Sequence, residues 1–125
     1  MLLEPMRESM ELVRKSDAEI LAVANPIMDR LMAASTAFDY EAHIQDFTER
    51  AKASLSKDRF NQVCVAYQAD KGLFTEREFV AFFRRPYSIV AVWKQFFQNS
   101  PGEHIAEMVL IQDGDRYLVD HVMVF

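Results

Sequence analysis

The feature that most constrains this chain is the order of its two unlike halves. Up to Gly72 the sequence is acidic and alanine-rich, with apolar residues at helical spacing. The 53 residues that follow hold ten of the fifteen aromatics and most of the β-branched residues. Helices first and strands afterwards argue for an α+β fold rather than an alternating α/β one. At 125 residues the chain suits one domain with a real core. Residues 1–16 read as an N-terminal extension or short helix and residues 17–125 as the domain.

Helical signals fill the first half. Met6, Met10 and Val13 space a thin apolar stripe near the start. Ser16-Asp17-Ala18-Glu19 is a capping box, which sets a helix start near Asp17. Ile20, Ala24, Ile27, Met28, Leu31 and Phe38 keep one face apolar, in phase across Pro26. That phase predicts one helix kinked at the proline, rather than a new helix capped by Asn25. Asp39 caps a second helix from Tyr40 to about Lys52, burying Ile44 and Phe47. Ser56 caps a third that runs to about Asp70, with Phe60, Val63, Cys64 and Tyr67 on one face. Gly72 is placed for a left-handed stop.

Residues 75–84, 87–98, 103–112 and 115–125 read as strands, with a loose turn at Asn99-Ser100-Pro101-Gly102. Asp113-Gly114 is the strongest hairpin signal, a two-residue turn of the primed type. That turn pairs Leu110 with Tyr117, Met108 with Val119 and Ala106 with His121, all on one face with Phe125. On the other face Glu107 lies opposite Asp120. Neither face is fully polar, and Tyr87–Gln98 is apolar on both sides. A sheet covered on one side only shows polar residues on the other. Both faces therefore bury something: the helices cover one, and the other is either convex and partly wet or packs against a second subunit, the expectation being a homodimer through the sheet.

Charge and composition exclude several classes. There are 14 basic and 19 acidic residues, net −5, and the only adjacent basic pairs are Arg14-Lys15 and Arg84-Arg85. No basic stripe exists for nucleic acid or for an anionic membrane surface. No apolar run is long enough to span a bilayer. One cysteine, Cys64, excludes an internal disulfide and Cys-based zinc sites. Residues 1–15 lack the apolar core of a signal peptide, and with the single thiol this points to the cytoplasm. With three glycines there is no phosphate-cradling loop, and no His-Glu-x-x-His occurs, so no cofactor or metal is expected. Ser54-Leu55-Ser56-Lys57 matches Ser-x-x-Lys by chance, since Ser56 already serves as a cap.

The run Ala24-Asn25-Pro26-Ile27, then Leu31, Asp39-Tyr40, Asp46-Phe47, Leu55-Ser56 and Phe60, resembles the helical half of the nuclear-transport-factor-2-like (cystatin-like) superfamily, in its small uncharacterised bacterial members. Asp113-Gly114-Asp115-Arg116-Tyr117-Leu118-Val119-Asp120-His121 is similar to that superfamily's final hairpin. The resemblance spans roughly residues 17–125 and rests on packing and turn signals. It implies a cone: a curved antiparallel sheet around a long helix, with a cavity at the wide end and Tyr117 and Val119 pointing inward. The superfamily includes ketosteroid isomerase, scytalone dehydratase, limonene-epoxide hydrolase, polyketide cyclases and many non-catalytic domains, so the fold does not fix an activity. None of those enzymes' catalytic motifs is matched here.

Candidate chemistry follows from the register. His121 shares a face with Tyr117 and Met108, where an imidazole beside a phenol can act as a general base, or else is a structural histidine hydrogen-bonded within or at the rim of the core. Glu107 opposite Asp120 is either a solvated pair, offset by Arg116 and Lys94, or a carboxylate pair with one pKa raised. Trp93 and Tyr40 are expected to join Tyr117, His121 and Met108 as ligand contacts. His104 falls on the His121 face, and His43 is expected at the surface. The function expected is a homodimeric small-molecule-binding or association domain with a cavity between helices and sheet; the alternative is a cofactor-independent isomerase, dehydratase or cyclase with a cavity His or carboxylate as general base.

Overall fold

A computed structural model describes residue 7 and residues 11–125. Met6 and Met10 of the expected N-terminal stripe lie outside the described residues, while residues 11–14 are helical and Leu12 is fully buried. The ordered elements are α1 (Asp17–Thr36), α2 (Tyr40–His43), α3 (Glu49–Ala53), α4 (Lys57–Lys71), β1 (Phe74–Arg84), β2 (Ile89–Phe97), β3 (Ser100–Asp113) and β4 (Arg116–Val124). The strands form one antiparallel sheet in the order β1-β2-β3-β4.

Local chemistry sets the helix ends. Ser16 and Glu19 form the reciprocal capping box, which satisfies two backbone donors at the start of α1. Helix α1 runs unbroken through Pro26. The proline removes the partner of the Ala22 carbonyl, and both residues are exposed, so water can take its place. Asp39 and Ser56 cap α2 and α4 as the sequence predicts. Gly72 ends α4 at φ 79°, ψ −158°, a conformation open to glycine but outside the left-handed helical region expected for the stop. A Cβ there would stand 2.8 Å from the Asn99 side-chain nitrogen.

The expected second helix is instead two short ones. Residues 46–48 leave the helical path to pair with β4: Val119 N–H donates to the Asp46 carbonyl (2.7 Å) and Thr48 N–H to the Val119 carbonyl (3.0 Å). The result is a parallel bridge from Phe47 to Val119, and Thr48 then caps α3.

The core lies between α1 and the inner face of the sheet. Ile20, Ala24, Ile27, Met28 and Leu31 meet Ile89, Ala91, Trp93, Ala106, Met108, Leu110 and Val119. Polar ties fix the helix across the strands. Trp93 Nε1 donates to Asn25 Oδ1 (3.0 Å), Arg77 pairs with Asp29 (2.5 Å) and Arg84 with Asp17 (2.7 Å). Along β2 the odd residues are buried and the even ones half-buried, so Val90, Val92 and Phe96 face outward.

Two turns sit one or more residues from their expected places. Phe97 pairs with Ser100, so the β2–β3 turn is at Gln98-Asn99, and Gly102 at φ 96° lies in an irregular stretch of β3. Asp113 pairs with Arg116, so Gly114-Asp115 rather than Asp113-Gly114 are the central turn residues. Gly114 at φ 63° supplies the positive φ that a tight hairpin of this type needs at its first central position.

The register of the last hairpin changes partway. Near the turn Gln112 faces Tyr117 and Leu110 faces Val119; beyond Asp120, Val109 faces His121, Met108 faces Val122 and Ala106 faces Val124. Asp120 is the extra residue of a β-bulge, and a one-residue offset moves every later side chain to the opposite face. Tyr117 and Val119 thus face inward as expected, but His121 does not share their face. Val122 and Val124 take the inner positions, and His121 and Met123 turn outward.

Candidate functional site

A cavity of about 580 Å³ opens between α4, residues 43–55 and the end of β4. Its wall is mainly apolar: Met32, Phe47, Leu55, Phe60, Val63, Phe74, Phe97 and Val124 contribute. A volume of that size with few polar groups is typical of small-molecule sites. Helix α4 supplies one side because Phe60, Val63, Cys64 and Tyr67 recur at helical spacing.

The cavity's polar groups include Tyr67 from the predicted face of α4 and Asp120 and His121 from the end of β4, together with His43, which the sequence places at the surface, and Ser35. His43 is buried, its ring 4.7 Å from that of Phe60 and 5.4 Å from that of Phe47. Its Nδ1 lies 3.1 Å from the Leu31 carbonyl. A carbonyl only accepts, so Nδ1 carries the proton and Nε2 of the neutral ring keeps a lone pair. Burial pushes the His43 pKa below its ordinary value, outweighing the opposing pull of the Leu31 carbonyl. The surface position expected for His43 is therefore corrected. The available signal was spacing: His43 lies four residues before Phe47, on the face that carries Tyr40 and Ile44 as well. Ser35 adds a second polar point, with its hydroxyl 2.9 Å from Tyr67 Oη and 3.4 Å from Cys64 Sγ.

At the rim, the bulge at Asp120 gathers a charged corner. Asp120 accepts from Thr48 Oγ1 (2.8 Å) and pairs with Arg50. Burial pushes the Asp120 carboxyl up, but hydrogen bonds from Arg50 and Thr48 and the charges of Arg50 and His121 outweigh it and hold the pKa below the usual carboxylate range. His121 Nε2 lies 2.9 Å from Glu107 Oε1. Arg50, Arg85, Ser88, Val90, Val109 and these three residues surround a second recess of about 420 Å³ on the outer side.

The structure separates the residues the sequence grouped. Glu107 faces Met123, not Asp120, so the like-charge pair does not form, and Asp120 is shifted toward ionisation rather than away from it. His121 meets Glu107 at the rim, away from Tyr117 and Met108. Tyr117 lines a shallow groove of about 260 Å³ with Pro26, Arg30 and Asp46. Met108 and Trp93 are sealed in the core at 0% and 1% exposure. Tyr40 donates its hydroxyl to the Leu55 carbonyl (2.6 Å) and packs its ring on Phe60. His104 packs on Phe97 and lies 3.3 Å from the Ser100 hydroxyl. Among the described residues no group of three or more His, Cys, Asp or Glu side chains could hold a metal ion, and no helix is long and apolar enough to cross a membrane.

Helices followed by a four-stranded antiparallel sheet, with a cavity between them, define the nuclear-transport-factor-2-like, cystatin-like α+β cone. Solved structures share that fold. A Thiobacillus denitrificans protein, named for the calcium/calmodulin-dependent protein kinase type II association domain, superposes with a TM-score of 0.62 at 11% identity, covering 81% of this chain and 92% of that one. A SEC-C motif containing protein from Rhodopseudomonas palustris gives 0.53 at 13% identity, covering 83% and 90%. A domain of unknown function with a cystatin-like fold from Nostoc punctiforme gives 0.52 at 10% identity, covering 88% and 78%. At these identities the likeness is one of fold. No family model and no curated protein matches the sequence.

Proposed function

We infer that this chain is a binding and association domain: its cavity takes a small, largely apolar molecule, and its outer sheet face joins two copies. The cavity carries the first part of this reading, because about 580 Å³ of mainly apolar wall offers the acceptor His43 Nε2 and hydroxyls at Ser35 and Tyr67, while its charged members Lys71 and Asp120 are each held in an ion pair, with Asp70 and Arg50. An uncharged molecule with a hydroxyl or carbonyl at one end fits that lining. The association part rests on the apolar outer face, and a protein of the same fold is named for an association domain. A cytoplasmic setting suits the single buried Cys64, which needs no oxidising compartment.

Thermal-shift screening against uncharged aromatic and terpenoid compounds tests the cavity. A ligand at a hundredfold excess over its Kd stabilises the native state by about 2.7 kcal/mol. Val63 lines the cavity and is 42% exposed, so Val63→Trp narrows the space without overpacking the core. Hits that stabilise the wild type and not Val63→Trp support the reading. A screen in which every stabilising compound acts equally on the variant sinks it.

A second reading is a cofactor-independent isomerase, dehydratase or cyclase, favoured by one observation. His43 is held neutral with its tautomer fixed, so Nε2 can take a proton from a bound substrate. His43→Asn keeps a donor for the Leu31 carbonyl and removes the base. On this reading the variant binds a screened ligand but no longer converts it, as followed by mass spectrometry.

A further inference from the structure

We propose that the edge of β4 beyond Val119, unpaired among the described residues, binds an extended peptide as an added strand, its alternate side chains entering the cavity. This goes beyond the small-molecule reading and does not depend on it. The backbone pattern carries it. Ile105 and Phe125 exchange both N–H···O bonds, at 2.7 and 2.9 Å. Bonded and non-bonded pairs alternate along an antiparallel ladder. Glu107–Met123 is therefore also a bonded pair, while Met108–Val122 and Ala106–Val124 are not. The N–H and C=O groups of Val122 and Val124 consequently point away from β3, along the strand's outer edge.

Those groups border the cavity, since both valines line it. The chain itself shows that this edge accepts a strand. Asp46 and Thr48 already pair with Val119, the preceding outward-facing position, and the bulge at Asp120 ends that pairing. An incoming peptide continues the row where residues 46–48 leave off. The opposite edge differs. Strand β1 carries Glu76, Arg77 and Glu78 and is broken by two register shifts, the usual devices that keep an edge from pairing. From Val122 to Phe125 the chain has no charged side chain, no proline and no bulge.

The spacing of the free groups selects the partner. Only another backbone offers donors and acceptors that repeat every two residues, at about 3.3 Å per residue. Side chains of an added strand alternate, so one set enters the apolar cavity and the other faces solvent. The partner is thus a segment with apolar residues at every second position. Helix α4 lines the same cavity through Phe60, Val63, Cys64 and Tyr67, so the inward side chains of the added strand meet an apolar wall.

The test uses the whole protein and a fluorescein-labelled hexapeptide of alternating threonine and valine. Anisotropy should rise saturably below millimolar peptide. Two further peptides, one N-methylated at the threonines and one at the valines, separate backbone pairing from simple burial. Only alternate amides of a strand face its partner, so one of the two should bind at least tenfold more weakly than the other. Val124→Pro removes the outward N–H without removing a ladder bond, which an edge position tolerates; it should weaken binding at least tenfold. Should that variant misfold, amide exchange in the wild type still decides, because bound peptide must slow exchange at Val122 and Val124. Equal binding of both methylated peptides, or unchanged exchange at these amides, overturns the proposal. Protection of the two amides that rises with protein concentration, in the absence of peptide, also overturns it by assigning the edge to a second copy. A small molecule that only fills the cavity leaves their exchange unchanged, so the two readings fail independently.

Discussion

His43 shows how a single residue acquires its chemistry from its surroundings. Phe47 and Phe60 remove water from the ring, and the Leu31 carbonyl fixes the proton on Nδ1. The unfolded state has the ordinary value, 6.5, and the folded state a lower one. Between these two values the unfolded chain binds more protons, so stability rises with pH. The stabilisation is fully present above about pH 6.5 and is lost as the pH falls toward the folded value. Urea unfolding followed from pH 7.5 to 5 should show this loss, with a slope of at most about 1.4 kcal/mol per pH unit from this group. His43→Asn removes this slope, and an unchanged slope in the variant would show that the ring is not desolvated. The sequence held the spacing that puts His43 beside Phe47, but not the carbonyl that accepts from it. That carbonyl belongs to α1 and meets the ring only after α2 folds back. Short-range residues were easier to read: Ser16, Asp39 and Ser56 each bond a backbone N–H three positions on, so their roles depend on immediate neighbours alone.

At the scale of elements, the segment between α2 and α3 decides how the sheet meets the helices. Thr48 has two tasks there. Its hydroxyl accepts from Ala51 N–H at the start of α3 and donates to Asp120 at the bulge. Ser56 performs only the capping task for α4. Loss of a cap costs about 1 kcal/mol, and a hydrogen bond to a charged group contributes about 1.5–3 kcal/mol. Thr48→Ala should therefore destabilise by roughly 2–4 kcal/mol, against about 1 kcal/mol for Ser56→Ala. Equilibrium urea unfolding of the two variants measures the difference, and equal losses would mean that Thr48 does not anchor Asp120. The bulge itself left no mark in the sequence. Alternation along 116–125 is apolar on both faces, so shifting the register by one residue still places valines inward. Only the pairing of residues 46–48 with Val119, distant in sequence, marks where the strand changes step. That is why the inward placement of Tyr117 and Val119 implied by the resemblance holds before the bulge, while His121 beyond it falls on the other face.

For the whole molecule the question is what covers the outer sheet face. Phe83 and Ile105 stand there at 58% and 43% exposure, with Val90, Val92, Phe96 and Val109 half-buried around them. Large exposed apolar patches are where interaction sites are sought, and the proposed dimer uses this face. The same two-sided apolar pattern was visible in the strands before any fold was assigned, because it depends only on alternation. A second copy applied about a two-fold axis would bring identical faces together. The charged groups do not forbid this, since His121 and Glu107 already satisfy each other, as do Lys94 and Glu103. A stable interface needs about 800 Å² from each partner, and the outer surface of the strands is where this chain offers apolar residues for it. Light scattering on the eluting protein at micromolar concentration should give twice the chain mass of 14.5 kDa. Phe83→Glu combined with Ile105→Glu puts four carboxylates into the paired faces and should return the mass to that of one chain. Both side chains are exposed and lie off the cavity wall, so the fold and any cavity ligand binding should persist in the variant. A wild type that elutes as a single chain, or a variant that remains a dimer, would remove the sheet face from consideration as the interface.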